Sequence, residues 1–511
     1  MAAAAKLATT PLVSDDECQG LLVQDRRQSD CAFAALQRRV ALRPINASTV
    51  AESAAAEVSM AEVGAPARIA AVPPGVNLGG WLVLEDWFFS GSNGRHVASQ
   101  GGFGQGVSLP PLLWDLENEP WTSEGALTKH LHDTRGEKEV LKIFNAHRGT
   151  YIVDRDLQRI ASLGIRSVRL PLPWATFADA LSRLDVEAYK PGAKIVPDPF
   201  YRDQAMFVTV DRNWLARFLR QAARHKLKVV LDLHYMPGGS SDGTYNGIWP
   251  LPPKFWTASV TAGVDTVMLS DVGMWIARAF VTWVESLGPL ELSTIEGLTL
   301  LNEPGHMANI DKRNGKPFVK AEAQVMDWVS MTIDLFRRST LPGKGVKLYI
   351  SMVESTFDNF WQTVPPWYMR TTTSQERHSW AVFDIHWYTA WGGAKCSGRT
   401  VPGGRYLCSQ PMEEVRPRVR ACIEDDMAKF ARKVHGLRSC SEFSLASFED
   451  PLLACADAGF LKMFLQEQLA AFDRHRIEGF FWTWRMPYGQ NFESAWSFEA
   501  MAAAETPQNE W

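Results

Sequence analysis

Nowhere do the 511 residues run to 18 consecutive apolar side chains, so no membrane-spanning helix is legible. A basic excess is missing as well. The formal net charge of -4 argues against an electrostatically driven nucleic-acid binder. The seven cysteines include no C-x-x-C pair and no Cys/His cluster, which leaves a metal site without support. Five of them (Cys396, Cys408, Cys422, Cys440 and Cys455) crowd into the C-terminal third, either as a local disulfide set or as buried thiols. Their odd total leaves at least one unpaired within the chain. No G-x-G-x-x-G follows an early strand, which disfavours a doubly wound dinucleotide-binding sheet. The opening Met1-Ala-Ala-Ala-Ala-Lys6 has no longer apolar stretch of the kind a secretory signal carries. Asp15, Asp16 and Glu17 break the acid-poor rule of a transit peptide.

What the chain does have is tryptophan, 20 residues of it, each a flat apolar face with one N–H donor. Such faces either stack on sugar rings or fill a core, and for any single one the two readings stand about even. An apolar share of 46% supports a sizeable core, enough for one large catalytic domain with appendages. Residues 1–70 are Ala-rich and show no strand pattern, only one short amphipathic run from Cys31 to Leu42. They are expected to form an N-terminal extension rather than a domain, with a single domain over 71–511.

From Pro73 a rhythm sets in, with β-prone apolar runs alternating with helix-like stretches. The predicted strands are Gly75–Leu78, Ser167–Leu170, Lys228–Leu233, Gly297–Leu301, Lys347–Ser351, Ala381–Ile385, Leu437–Ser441 and Gly479–Trp482. Predicted helices include Val153–Leu163, Trp214–His225, Gln324–Arg337 and Lys462–Arg474. Eight β/α units predict an α/β fold, a (β/α)8 TIM barrel with enlarged loops.

Polar residues recur where these strands end. Arg169 interrupts the second, His234 ends the third, and Glu303 follows the fourth. His386 and Tyr388 follow the sixth, Glu442 the seventh, and Trp482 closes the eighth. Strand C-termini of a TIM barrel open onto one face, so these side chains are expected to converge. Two carboxylates there suit glycosidic bond cleavage, in which one protonates the leaving oxygen and the other traps the sugar cation. Asn302-Glu303-Pro304 follows an apolar strand, with an amide beside the carboxylate. A second copy, Asn118-Glu119-Pro120, follows a charged loop-like stretch and is read as surface loop. Glu442, in Cys440-Ser441-Glu442-Phe443-Ser444, is the partner. It must stay ionised while Glu303 keeps its proton, a division that a neighbouring Arg169 favours.

Taken in order, these motifs resemble the exo-β-1,3-glucanases (glucan 1,3-β-glucosidases) of glycoside hydrolase family 5. The opening Gly75-Val76-Asn77-Leu78-Gly79-Gly80-Trp81-Leu82-Val83-Leu84-Glu85 is similar to that family's first signature. Val168-Arg169-Leu170-Pro171, Asp232-Leu233-His234 with Gly238-Gly239-Ser240, and Leu301-Asn302-Glu303-Pro304 resemble the next three. Asp384-Ile385-His386-Trp387-Tyr388, Cys440-Ser441-Glu442-Phe443 and Phe481-Trp482-Thr483-Trp484-Arg485 resemble the remainder. The likeness spans about Pro73 to Ser497. It implies Glu303 as acid/base and Glu442 as nucleophile, with Asn302 bonding the sugar 2-hydroxyl. It further implies Arg169 and Tyr388 orienting Glu442, and His386 supporting Glu303. Glu85 and His234 would hold hydroxyls of a terminal glucose, with Trp482 as its stacking floor. The implied activity is retaining hydrolysis of β-1,3-glucan or β-glucosides from the chain end, without a cofactor. Another β-glycan or a glycolipid is the alternative substrate. A non-catalytic glycan-binding barrel is disfavoured because both carboxylates and their supports are present. The family's cysteines fall near Cys422, Cys440 and Cys455, which points to an extracellular or secretory compartment. The likeness departs at Ser441, which stands where the family usually has glycine, and over Phe88–Leu131, rich in Gly and Pro.

Overall fold

The eight runs become eight parallel strands that pair in chain order until the last meets the first, closing a barrel. They are β1 (Gly75–Asn77), β2 (Ser167–Pro173), β3 (Lys228–Tyr235), β4 (Ile295–Thr299), β5 (Lys347–Ser351), β6 (Ala381–His386), β7 (Leu437–Phe443) and β8 (Ile477–Phe481). The computed structural model describes residues 71–85, 88, 122–241, 243–305, 321–354, 357, 359–390, 396, 401, 406–447, 455–486 and 495–504. The expected extension over 1–70, the Glu119 motif and most of the Phe88–Leu131 segment lie outside the described residues. The architecture is the predicted (β/α)8 TIM barrel.

Two strands begin two residues earlier than the apolar pattern shows, at Ile295 and Ile477. Glu296 and Glu478 follow those residues and break the pattern. Their carboxylates instead meet a polar cluster at the N-terminal end of the barrel. Lys347 Nζ donates to Glu296 Oε1 at 3.0 Å, Ser167 Oγ to Glu296 Oε2 at 2.5 Å, and Tyr349 OH to Glu478 Oε2 at 2.8 Å. A paired carboxylate is tolerated inside a barrel where a lone one is not.

Side-chain alternation explains the interior. Arg169 of β2 sits beside Val230 of β3 in register. Val230 packs with Tyr349, Val382 and Phe480 in a cluster separate from the main core. Val168 and Leu170 point the other way, into the core between sheet and helices. Gly75 is required where it stands, since a Cβ there would lie 2.2 Å from the Phe480 ring. The outer layer follows helical periodicity. The helix Arg212–Arg224 starts at Asp211, whose side chain accepts from Asn213 N and Trp214 N. It buries Leu215, Phe218, Leu219 and Ala222, one stripe at 3.6-residue spacing.

Elements the pattern missed are those where local signals conflict. The helix Phe360–Thr371 contains Pro365 and Pro366, and the helix Met412–Lys433 contains Pro417. Proline normally ends a helix reading. Two antiparallel pairs, Ile195–Pro197 with Met206–Val208 and Ser259–Ala262 with Asp265–Met268, are too short to signal themselves. Trp174, Trp256 and Trp484 are fully buried core, and Trp482, also buried and part of the same core cluster, lies where β8 ends. Among the described residues the cysteines form two bridges, Cys396–Cys422 and Cys408–Cys455, and Cys440 is a buried thiol. The bridges fasten the chain after β6 to the helix Met412–Lys433 and to the chain after β7. In a chain-entropy account each is worth on the order of 3–4 kcal/mol.

Candidate active site

Past β4 the chain turns sharply, and Glu303 sits in that turn with φ of 40°, a left-handed conformation rare for any residue but glycine. Such a backbone costs on the order of 1–3 kcal/mol and persists only where its surroundings dictate it. Here they do. Asn302 N donates to Leu233 O at 2.9 Å and Gly305 N to Ser240 O at 3.2 Å. Glu303 N itself donates to Ser351 Oγ at 3.3 Å, so the turn is fastened to β3 and β5 on either side. Glu442 is placed differently, within β7 where the register with β8 shifts between Cys440 and Phe443. A shift also occurs on β6 between Ile385 and His386, which brings His386 opposite Glu442. Such irregularities re-aim side chains at a barrel rim.

The two carboxylates, 7% and 5% exposed, meet around His386, with one oxygen of each and Nδ1 all within 4.8 Å of one another. His386 Nδ1 lies 2.5 Å from Glu303 Oε1 and 3.3 Å from Glu442 Oε2. Arg169 Nη1 donates to Glu442 Oε1 at 2.6 Å, and Tyr388 OH to Glu442 Oε2 at 2.7 Å. The same guanidinium donates through Nη2 to Asn302 Oδ1 at 2.6 Å and pairs with Asp232 Oδ2 at 3.0 Å. Both Glu442 oxygens are therefore engaged, and His386 Nδ1 is committed to Glu303. The arrangement reads as proton and charge handling rather than as cation ligation.

Charge follows from burial and neighbours. Burial opposes a charge on His386, but Glu442, Glu303 and Asp384 outweigh it and lift the imidazole to about 9. For Arg169 too, burial disfavours the charge, and Asp232, Glu442 and Asp384 more than restore it, holding the guanidinium above its ordinary value. Burial pushes the Tyr388 hydroxyl well up, and the charges of Glu442 and Glu303 push it further, so it donates at any working pH. Tyr245 behaves likewise, with Glu303 as its hydrogen-bond partner.

Beside the carboxylates lie the residues expected to hold a sugar. The His234 and Trp482 rings stack with centroids 5.7 Å apart and planes 7° from parallel, and His234 Nδ1 lies 2.6 Å from Asp232 Oδ2. Glu85 is buried and accepts from Thr244 Oγ1 at 3.3 Å. Its charge is among those acting on Tyr388. All nine residues named from sequence thus fall in one connected group at the C-terminal mouth. A cavity of about 1440 Å³ lies at the other end, lined by Arg166, Lys347, Arg438 and Glu478 among others. That is the face where barrels carry stability rather than chemistry.

Glu85 is itself steadied from behind. Leu84 N donates to Glu124 Oε2 at 2.9 Å, and Glu124 is fully buried. Burial raises its carboxyl from 4.5 to about 7, against the lowering influence of Arg148, the Leu84 N–H and Tyr235. A carboxyl raised in the folded state contributes stability that is complete below its unfolded value and lost as pH rises through 7. Between about pH 5 and 8 the wild type should lose up to about 3 kcal/mol that Glu124→Gln does not lose. Urea unfolding of both proteins at several pH values checks this, and parallel pH profiles would refute it.

Sequence reading passed over several participants. Asp232 couples Arg169 to His234. Asn77 accepts from Arg169 Nη1 at 3.0 Å and donates to Ser441 O at 2.8 Å, stitching β1, β2 and β7 together. Tyr245 reaches Glu303 from a single 3-10 turn, Thr244–Asn246, in the segment after β3. Asp232 and Asn77 stood inside quoted motifs. Their inward direction follows from strand alternation, which was the available signal.

No family model matches the chain. It is 27% identical over 238 residues to a glucan 1,3-beta-glucosidase of Blumeria graminis, covering 46% of this chain and 41% of that protein. It is 30% identical over 295 residues to a probable glucan 1,3-beta-glucosidase A of Aspergillus fumigatus, covering 56% of each. The chain spans about half the length of the curated relatives it matches, and the resemblance seen in its motifs is borne out over that span. Among solved structures, a rutinosidase from Aspergillus niger superposes with a TM-score of 0.51 at 16% identity, covering 85% of this chain and 98% of that one. At that identity the likeness concerns the fold.

Proposed function

We propose that the chain is a retaining β-glycosidase that releases glucose from the end of β-1,3-glucan or from simpler β-glucosides. The observation that carries this reading is the carboxylate pair at the barrel mouth, the nearest oxygens of Glu303 and Glu442 lying within 4.8 Å of each other, which is close quarters for two carboxyl groups with a water between them. Retaining enzymes hold their carboxyl groups about 5–5.5 Å apart, whereas inverting ones leave about 6.5–9.5 Å for a water. The glucan 1,3-beta-glucosidase names of the matched relatives support the substrate class.

In the first step Glu303 protonates the glycosidic oxygen while Glu442 attacks the anomeric carbon. The carbon–oxygen bond breaks, the aglycone leaves with the proton, and a glycosyl ester forms on Glu442. Glu303, now a carboxylate, takes a proton from water, whose oxygen attacks the same carbon and frees Glu442. Two inversions give net retention. Arg169 and Tyr388 each donate to one oxygen of Glu442 and hold it fixed before attack, and Asn302, held by Arg169, faces the sugar beside Glu303. Trp482 offers its ring to the sugar, with Glu85 and His234 beside it. Two disulfides fit an oxidising compartment, which supports a secretory or extracellular setting.

The test is proton NMR of the first product formed from laminari-oligosaccharides, run beside cello- and manno-oligosaccharides. β-Glucose released ahead of mutarotation, from the β-1,3 series in preference, is expected. α-Glucose would overturn the retaining mechanism, and turnover of mannan-type substrates alone would overturn the substrate.

A further inference from the structure

Ser441 lies one residue before Glu442 in β7, and its side chain turns toward β6. Its Oγ donates to Asp384 Oδ2 at 2.6 Å, and its N donates to Asp384 Oδ1 at 2.9 Å. The same Oγ lies 3.0 Å from His386 Nε2. Oδ2 of Asp384 and Nε2 of His386 are 3.7 Å apart, within ion-pair range but too far for a direct hydrogen bond, so the hydroxyl supplies the hydrogen-bonded link between them. All three residues are deeply buried at this point, with Asp384 and Ser441 at 0% exposure and the His386 side chain at 1%.

We propose that Ser441 is a positioning residue for the acid/base, its hydroxyl joining Asp384 to His386 so that Nε2 always carries a proton and Nδ1, the nitrogen that titrates, keeps its proton while it hydrogen-bonds Glu303. The inference rests on the β-glycosidase reading above. The argument is one of donor counting. A hydroxyl has a single hydrogen, and an ionised carboxylate only accepts, so the Ser441 hydrogen goes to Asp384. Its lone pair is then left to accept from Nε2–H. Nδ1, 2.5 Å from Glu303 Oε1, becomes the titrating nitrogen. As Glu303 gives its proton to the leaving oxygen, Nδ1–H stabilises the carboxylate that forms. When Glu303 takes a proton from water in the second step, the arrangement returns to its start, with no net proton gained or lost.

The groups that face this imidazole are Asp384 from β6, Ser441 and Glu442 from β7, and Glu303 from the turn after β4. Arg169 and Tyr388 act on it through Glu442, and Tyr245 through Glu303. Removing the Ser441 hydroxyl takes one donor from Asp384, which burial already pushes up, and weakens the carboxylate's hold on Nε2–H. His386 should then titrate at a lower pH, and the alkaline limb of activity should move down with it.

The experiment is ¹⁵N NMR of histidine-labelled protein, wild type and Ser441→Ala, combined with kinetics on two β-glucosides. His386 in the wild type is expected to titrate near 9 on Nδ1, with Nε2 protonated throughout. In Ser441→Ala the midpoint should fall by about one unit. Hydrolysis of laminaribiose, whose leaving group needs protonation, should slow about tenfold in kcat. A 2,4-dinitrophenyl β-glucoside, which needs no acid, should change less than about twofold, and Ser441→Thr should restore the laminaribiose rate. An unchanged midpoint, or equal losses on both substrates, would overturn the proposal. If the wild type cleaves no β-glucoside, the functional reading fails instead. The NMR titration still decides the relay, because it needs only the folded protein.

Discussion

Glutamine in place of Glu442 is expected to lower kcat on every β-glucoside by on the order of 10⁴-fold or more, the scale found when a covalent nucleophile or its partner is removed. The amide has the shape of the carboxylate, so the surroundings stay in place. Its oxygen can still accept from Arg169 Nη1, and its NH₂ can meet the Tyr388 hydroxyl, which rotates to accept. Arg169 keeps Asp232 as a counter-charge. Folding should therefore survive, and the loss belongs to chemistry, because an amide cannot form the glycosyl ester. Glu303→Ala should behave differently. It should lose about 10²–10⁴-fold on natural linkages but far less on a dinitrophenyl glucoside. Azide separates the two roles by stereochemistry. With Glu442→Gly it should attack from the vacated face and give the α-glucosyl azide. With Glu303→Ala it should intercept the glycosyl ester and give the β-azide. Activity of Glu442→Gln within tenfold of wild type would sink the nucleophile assignment, and exchanged azide products would swap the two residues.

What the sequence made legible is what periodicity and strand ends encode. Every barrel strand was anticipated because a short β-prone run recurring between helix-like stretches is a local signal. Since a barrel aligns all its strand C-termini, the residues at those ends could be gathered without coordinates. The failures are equally physical. Glu296 and Glu478 disguise the starts of β4 and β8, because their partners Lys347, Ser167 and Tyr349 lie on other strands. The left-handed turn at Glu303 leaves no mark in composition, being imposed by hydrogen bonds from β3 and β5. Ser441 looked like a mere exchange for glycine, and only the register shift beside it brings its hydroxyl to Asp384 and His386. The disulfide pairing was open for the same reason, as spacing alone does not decide which cysteines meet.

Arg169 should show the largest combined effect, on stability and on rate. Its guanidinium is wholly buried and serves Asp232, Glu442, Asn302 and Asn77 at once. Arg169→Met keeps much of the volume and removes the charge, leaving Asp232, Glu442 and Asp384 in the barrel mouth without the guanidinium that faces all three. Breaking a buried pair by deleting one partner costs about 3–5 kcal/mol, because the remaining charge is left unpaired. That loss should appear as a lower urea midpoint at neutral pH. It should shrink on acidification, since protonating the orphaned carboxylates relieves their repulsion. Activity should fall by at least about a hundredfold, as Glu442 and Asn302 lose the group that orients them. A second substitution separates the two effects. Asp232→Asn on the Arg169→Met background removes one uncompensated charge and should recover part of the stability, while the rate stays low because Glu442 is still unguided. Recovery of both together would mean that Arg169 acts on catalysis only through folding. A variant as stable as wild type would mean that its charge does not offset the carboxylates around it.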